Sequence, residues 1–408
     1  MPQVDATSPV PPSLLVPSPL HESVRARAAN AGLRHVHVFA FRDLEDPEAG
    51  GSEEHAAQVC AHLALAGLDV TLHTGRVVGA PTDVMRYGFR VRRRGGRLGV
   101  FVAAPFDEIT RRMGPCDGII EIFHGVPFFA PLWSRKPQIG LVHHVHLGTW
   151  DMLLPGPLGR MGELVERFAV PLVYRRRALV TAALSARDEI VEHYHVDRAK
   201  IAIAYHGVDP RFRPGGERWS RPLVLTVARM MPQKGLDDLL PALVDVRARV
   251  PDAEAVIIGD GPHRERLEAT AASIGATGWL RFVGRVTDDE LVAWYQRAWV
   301  VASASKREGF GLTLIEAAAS GTPVVATRIA GHLDAVDEGR SGLLVDSTAE
   351  LTDAIVTVLT DASRRAALGA GALEHAAKFT WAASAASLFG ALCDEAERRT
   401  NRGDRRHS

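Results

Sequence analysis

The feature of this sequence that most restricts its fold is an alternation, in two long series, between short β-branched or apolar runs and segments with helical spacing. The first series starts at "LRHVHVFAF". Its spacing predicts strands near 34–41, 69–74, 118–123, 138–142 and 178–182, with a helix near 52–67. The second series predicts strands at 222–228, 253–259, 279–284, 299–304, 322–327 and 342–346. Strands that alternate with helices are joined by crossovers, so they run parallel and are covered on both faces. The expected class is α/β, with two doubly wound, Rossmann-like domains facing each other across a cleft at the carboxyl ends of their strands.

The domain limits follow from composition. Five prolines between Pro9 and Pro19 predict an extended arm over residues 1–30. The first domain is expected over 31–210 and the second over 211–375, joined through "DPRFRPGGERWSRP" (209–222). Residues 376–408 are read as a carboxyl-terminal helix, apolar on one face over 376–395, followed by a polar tail.

Charge and cysteine content exclude several functions. The 48 basic and 48 acidic side chains balance, so no chain-wide field favours nucleic acid or an anionic membrane. Cys60, Cys116 and Cys393 form neither a disulfide framework nor a zinc spacing. The start lacks a basic segment followed by an apolar block, and no apolar run reaches the length of a membrane span, so a cytoplasmic chain is expected.

The stretch "REGFGLTLIEAAASGTPVVAT" holds the densest chemistry. It reads as a loop at a strand's carboxyl end, a helix, and a stop at Gly321 before Pro323. Free amides at the helix start favour phosphate, and Gly309 and Gly311 let a ligand approach the backbone. Two carboxylates flank that start. Thr313 followed by Glu316 also has the form of a capping box, and Glu308 could be a solvated loop residue. "TVARMMPQKGLDDLL" places Arg229 at a strand end and Lys234 beside Gly235 at a helix start, a pair of cations suited to a diphosphate. "VIIGDGPHRERL" forms a tight strand-to-helix turn around Asp260.

Taken in order, "VAR…PQKG", "IIGDGP", "FVGRV", "ASKREGFGLTLIEAAASGTPVVAT" and "GRSGLLV" resemble the carboxyl-terminal domain of retaining glycosyltransferases of family four, group 1, which have the GT-B fold. The resemblance covers nearly the whole chain after residue 30. It implies transfer of a sugar from a nucleoside-diphosphate sugar to an acceptor hydroxyl by front-face displacement, with no divalent metal or other cofactor. It assigns Glu308 to the donor sugar and Glu316 to the ribose. The backbone of Phe310, Gly311, Leu312 and Thr313 would meet sugar hydroxyls and diphosphate, and Arg229 and Lys234 would neutralise the diphosphate.

In the amino-terminal half, Gly50 and Gly51 open a helix after the first strand and are expected near the donor phosphate. By register from "P-x-I-x-x-x-H", His143 resembles the family histidine beside the donor sugar. His143, His144 and His146 suggest a metal site, but alternation lets only two converge and no carboxylate accompanies them, so none is expected. "YGFRVRRRGGRLGVFV" (87–102) carries five arginines and reads as a hairpin around Gly95–Gly96, either a solvated edge or a basic surface for an anionic acceptor or lipid head group. His206 in "AYHGVD" stands where the family often has asparagine.

Expected partners are thus a nucleotide-sugar donor and a hydroxyl acceptor of unspecified kind, glycan, lipid-linked or small molecule. Peripheral contact with the inner membrane face stays open, and nucleic acid is not expected. Two alternatives share the architecture: a nucleotide-sugar epimerase, and a catalytically idle partner subunit. A dinucleotide dehydrogenase is disfavoured because no G-x-G-x-x-G follows the first strand.

Overall fold

Short strands buried on both faces need helices on each side, and both halves of the chain meet that need in the same way. The computed structural model describes residues 17–150, 154 and 156–407. Its internal contacts divide it into two units, Met1–Gly207 with Trp381–Ser408, and Val208–Thr380.

In the first unit the strands are β1 (His35–Phe39), β2 (Asp69–Thr74), β3 (Asp83–Arg86), β4 (Phe89–Arg93), β5 (Gly118–Phe123), β6 (Gln138–Val142), β7 (Leu179–Thr181) and β8 (Ile201–Ile203). They form one sheet in the order β3-β4-β2-β1-β5-β6-β7-β8, parallel except for the β3–β4 pair. The order reverses between β1 and β5. The helix Gly51–Leu65 buries Ala56, Val59, Cys60 and Leu63 beneath the sheet. The last helix, Trp381–His407, packs on it and on Pro19–Ala31, burying Leu388, Phe389 and Leu392. Full burial of each such side chain contributes roughly 1.5–3 kcal/mol.

The second unit has β9 (Leu223–Val227), β10 (Glu254–Ile258), β11 (Leu280–Gly284), β12 (Val300–Ser303), β13 (Val324–Thr327) and β14 (Gly342–Val345). Its order is β11-β10-β9-β12-β13-β14, every pair parallel. This is the 3-2-1-4-5-6 winding of a Rossmann-like sheet, with the switch point between β9 and β12.

Three sequence expectations need correction. Residues expected in an extended arm include a helix, Pro19–Ala31. Pro19 occupies its first turn, where a missing N–H costs nothing, His21 Nδ1 accepts from the Ser18 N–H at 2.9 Å, and Gly32 closes it at φ +67°. Residues 1–16 lie outside the described residues. The hairpin turns at Tyr87–Gly88, not at Gly95–Gly96, and "VFVAAPFDEI" is a helix that buries Val100, Ala104, Asp107 and Glu108. That spacing is helical, and a short apolar run does not separate it from a strand. Finally, the helix expected over 376–395 begins only at Trp381, after a break that follows Ala376, and it runs on through the expected polar tail to His407.

The arginines of 87–102 do not make a free basic surface. Arg93 is buried against Asp43 and Glu45, and Arg92 and Arg94 pair with Asp107. Arg90 pairs with Asp83 and Arg97 with Glu48. Among the described residues no helix is long and apolar enough to cross a membrane.

Candidate active site

Loops at the carboxyl ends of strands flanking a switch point face the crevice where such sheets take ligands. In the second unit these are the loops after β9 and β12. Gly235, at φ +61°, lets them close on each other: a Cβ there would lie 1.9 Å from the Ala304 carbonyl oxygen. The Lys306 N–H donates to the Gln233 carbonyl at 2.8 Å, tying the loops again. The consequence is that Lys234 Nζ lies 2.5 Å from Glu308 Oε1.

Glu308 is held by more than the lysine. Ser305 Oγ donates to the same carboxylate oxygen at 2.9 Å. Gly331 packs so closely that a Cβ there would lie 2.4 Å from the Glu308 carbonyl oxygen. Next to Gly331, the buried His332 pairs through Nδ1 with the Thr327 carbonyl at 2.7 Å. Burial lowers the pKa of His332, and the charge of Glu308 opposes that shift. Neither Ser305 nor His332 was singled out from sequence: Ser305 shares the loop after β12 with Glu308, and His332 becomes a neighbour only through the segment after β13.

Glu316 is not a capping residue. The helix Leu312–Ala319 has Gly311 at its N-cap, at φ +75°, two residues before the Thr313 that a capping box would need there. The half-buried Glu316 instead accepts a hydrogen bond from the Tyr295 hydroxyl at 2.8 Å. Desolvation pushes its carboxyl up to about 7, against the pull of that hydrogen bond. Phe310 is buried against Phe379, with ring centroids 5.6 Å apart, and Leu312 and Thr313 are half-buried at the helix start. Arg229 is exposed beyond the end of β9 and makes no ion pair among the described residues.

In the first unit, Gly50 and Gly51 open the helix after β1 and are exposed, with the Gly50 N–H donating to Glu53 Oε2 at 2.8 Å. His143 follows β6 and is half-buried. Its Nε2 lies 3.1 Å from Nδ1 of the buried His55, whose ring centroid is 4.4 Å from that of His206. Sequence reading missed this grouping. His144 and His146 lie beside each other with tilted rings, centroids 4.2 Å apart.

Comparison with known proteins gives the family and the fold. A family model described as glycosyl transferases group 1 matches residues 210–375, and one described as glycosyltransferase family 4 matches residues 49–212. The D-inositol 3-phosphate glycosyltransferase of Acidothermus cellulolyticus is 30% identical, covering 94% of this chain and 96% of that protein. D-inositol 3-phosphate glycosyltransferase 2 of Catenulispora acidiphila is 29% identical, over 90% of this chain and 94% of the other. Among solved structures, sucrose-phosphate synthase from Thermosynechococcus elongatus has a TM-score of 0.70 at 21% identity, covering 86% of this chain and 96% of that one. The Anabaena protein HepE, in complex with UDP and glucose, has a TM-score of 0.63 at 17% identity, over 85% and 95% of the two chains.

Two parallel Rossmann-like units in one chain, shared with those structures, are the architecture of GT-B glycosyltransferases. The chain belongs to the group 1, family 4 glycosyltransferases. It is therefore an enzyme that transfers a sugar from a nucleotide-sugar donor, and a retaining course accords with that family.

Proposed function

We propose that the second unit binds a nucleoside-diphosphate sugar at the β9/β12 switch point. Arg229, Lys234 and the free amides at Gly311, Leu312 and Thr313 meet the diphosphate, Glu316 the ribose, and Glu308 the sugar hydroxyls, with Phe310 shaping the loop. In the first unit, Gly50 and Gly51 serve the phosphate side and His143 the sugar side. Negative charge grows on the leaving diphosphate as the glycosidic bond breaks, and fixed cations and amides stabilise it without reorganising. In this reading transfer needs no divalent metal, since those groups supply the positive charge. The observation that carries it is the Lys234–Glu308 pair, which sets a phosphate-binding cation and a sugar-binding carboxylate side by side at the switch point.

The names of the relatives make inositol 3-phosphate the first acceptor to try. A second reading, a lipid-linked acceptor met at a membrane surface, is favoured by one observation. The helical run 157–174 exposes Leu158, Met161, Leu164, Phe168 and Leu172, each 47–72% accessible. Arg160, Arg167, Arg175 and Arg176 are exposed on the same run, and no acidic residue of 157–176 is. Beside it Arg167, Phe168, Leu172, Arg175, Glu192 and His193 line a cavity of about 770 Å³. An apolar stripe with basic flanks suits an anionic lipid surface.

The test is transfer from a panel of nucleotide sugars to inositol 3-phosphate and to lipid-linked acceptors, with the product anomer read by NMR. Retained configuration and acceptor-dependent donor loss support the proposal. Donor epimerised without an acceptor, or no turnover of any donor, would replace it with the epimerase or the idle subunit.

A further inference from the structure

Three histidines meet in the first unit, from elements far apart in sequence. His55 lies in the helix Gly51–Leu65, His143 just past β6, and His206 just past β8. One ring nitrogen from each lies within 4.8 Å of the other two. One pair, His55 Nδ1 and His143 Nε2, is 3.1 Å apart. Two imidazoles bound to one tetrahedral ion at about 2.0–2.1 Å hold their nitrogens roughly 3.3 Å apart. That pair already has the spacing of two ligands on one ion, and the third nitrogen lies within 4.8 Å of both.

The surroundings favour the same use. The other nitrogen of His55, Nε2, lies 2.9 Å from Ser384 Oγ, the kind of outer contact that fixes the tautomer and ring plane of a metal-bound histidine. Trp381 packs against both His55 and His206, with centroids 5.6 and 6.1 Å away. Gly207 fixes the backbone beside His206, since a Cβ there would lie 2.3 Å from the Trp381 nitrogen.

A second group, His37, Glu108 and Cys116, is also compact. Lys136 already pairs with Glu108 there at 3.5 Å, and an ammonium beside the ligands opposes a cation.

We propose that His55, His143 and His206 bind a divalent transition ion of the zinc class, three imidazoles leaving the fourth position to water. Imidazole ligands without thiolate or carboxylate suit zinc, cobalt, nickel or copper rather than magnesium or calcium. His143 is also the residue assigned above to the donor sugar, so this inference rests in part on that reading: an ion holding His143 competes with transfer. The site is thus an inhibitory one, distinct from any metal use in catalysis.

The test uses the untagged full chain, freed of metal by chelation and then titrated with Co²⁺, whose visible absorption reports tetrahedral nitrogen coordination. One equivalent is expected to bind with tetrahedral bands, and Zn²⁺ to displace it. His206→Asn, which replaces a good zinc ligand with a poor one, is expected to weaken binding by tenfold or more. His55→Gln is expected to do the same, with circular dichroism confirming that each variant folds. In the transfer assay Zn²⁺ should inhibit the parent at the concentrations that displace cobalt, and His206→Asn should turn over and resist it. No stoichiometric binding by the parent, or equal binding by the folded His206→Asn variant, overturns the site. Binding without inhibition overturns the competition. The spectroscopic arm does not depend on transfer, so failure of the proposed donor chemistry shows separately, as a protein that binds cobalt and turns over no donor.

Discussion

Lys234 Nζ and Glu308 Oε1 lie 2.5 Å apart although 74 residues separate them, their side chains 19% and 16% exposed. The cation expected on the diphosphate and the carboxylate expected on the sugar neutralise each other. A donor must therefore exchange this contact for its own, and the exchange offsets part of its binding energy.

Lys234→Ala and Arg229→Ala are each expected to lower transfer by about a hundredfold or more while leaving the fold intact, the loss that follows removal of a charge contact made mainly in the transition state. Turnover at saturating donor, beside thermal melts, measures both. Near-parental turnover in both variants would remove the diphosphate assignment.

Glu308→Gln should separate two roles. It frees Lys234 for phosphate, so affinity for a nucleoside diphosphate alone should hold or rise severalfold, by up to about 1 kcal/mol, while transfer falls. Calorimetry with the nucleoside diphosphate and turnover with the intact donor make the comparison. A loss of nucleotide affinity as large as the loss of turnover would place Glu308 on the nucleotide instead.

Gly235 is where the site depends on the backbone. A Cβ there meets the Ala304 carbonyl oxygen at 1.9 Å, and φ is +61°. Gly235→Ala is expected to cost roughly 2 kcal/mol or more, from left-handed strain of about 1–2 kcal/mol together with the clash, and to part Lys234 from Glu308. Denaturant unfolding gives the first effect and turnover the second. A variant as stable and active as the parent would show that the two loops need no such closeness.

Much of this site is legible in the sequence, and what escapes it escapes for physical reasons. The strands of the second unit read clearly because "VVAT" or "AVII" is buried on both faces and bounded by turns. Lys234 and Glu308 could each be marked by a neighbouring glycine, but their contact depends on how two loops close. Glu316 looked like a cap because Thr313 precedes it by three residues. Only the Gly311 φ angle and the Tyr295 hydroxyl show otherwise. Pro19 misled because the same residue that breaks a helix interior starts one. The His55–His143–His206 cluster has no local signal at all, since parallel crossovers bring it together from three separate elements.

Glu316 carries a pH dependence with a definite sign. Its carboxyl titrates near 4.5 when unfolded and about 7 when folded, so between those values the folded state holds more protons. Stability therefore falls as pH rises from about 4.5 to 7 and stays lower above it, by roughly 1–3 kcal/mol. Glu316→Gln should flatten that slope and be more stable than the parent at pH 8. If the carboxylate form grips the ribose, nucleotide affinity in the parent should instead rise with pH through about 7, and the glutamine variant should lose about 1–2 kcal/mol of it. Unfolding and calorimetry across that range read the two slopes. A parent without either slope would mean that the carboxyl stays ionised and the Tyr295 contact is purely structural.

The exposed face over 157–176 gives the last prediction. Self-association through this face would set Arg160, Arg175 and Arg176 against their copies, Arg167 being paired with Glu163 and Glu192 being the exposed carboxylate beside them, and like charges in a two-fold interface oppose pairing. An anionic bilayer supplies both an apolar layer for Phe168 and Leu172 and phosphate for the arginines. The chain should therefore sediment with vesicles containing anionic lipid and much less with neutral ones, and added salt should weaken the contact. Phe168→Asp with Leu172→Asp should abolish co-sedimentation while leaving transfer to a water-soluble acceptor in place, because neither side chain belongs to the donor site. Equal sedimentation of the double variant, or a parent that stays in solution as a dimer which the double variant breaks, would assign the face to something other than lipid. Transfer confined to soluble acceptors, with no vesicle binding, would leave inositol 3-phosphate as the better acceptor reading.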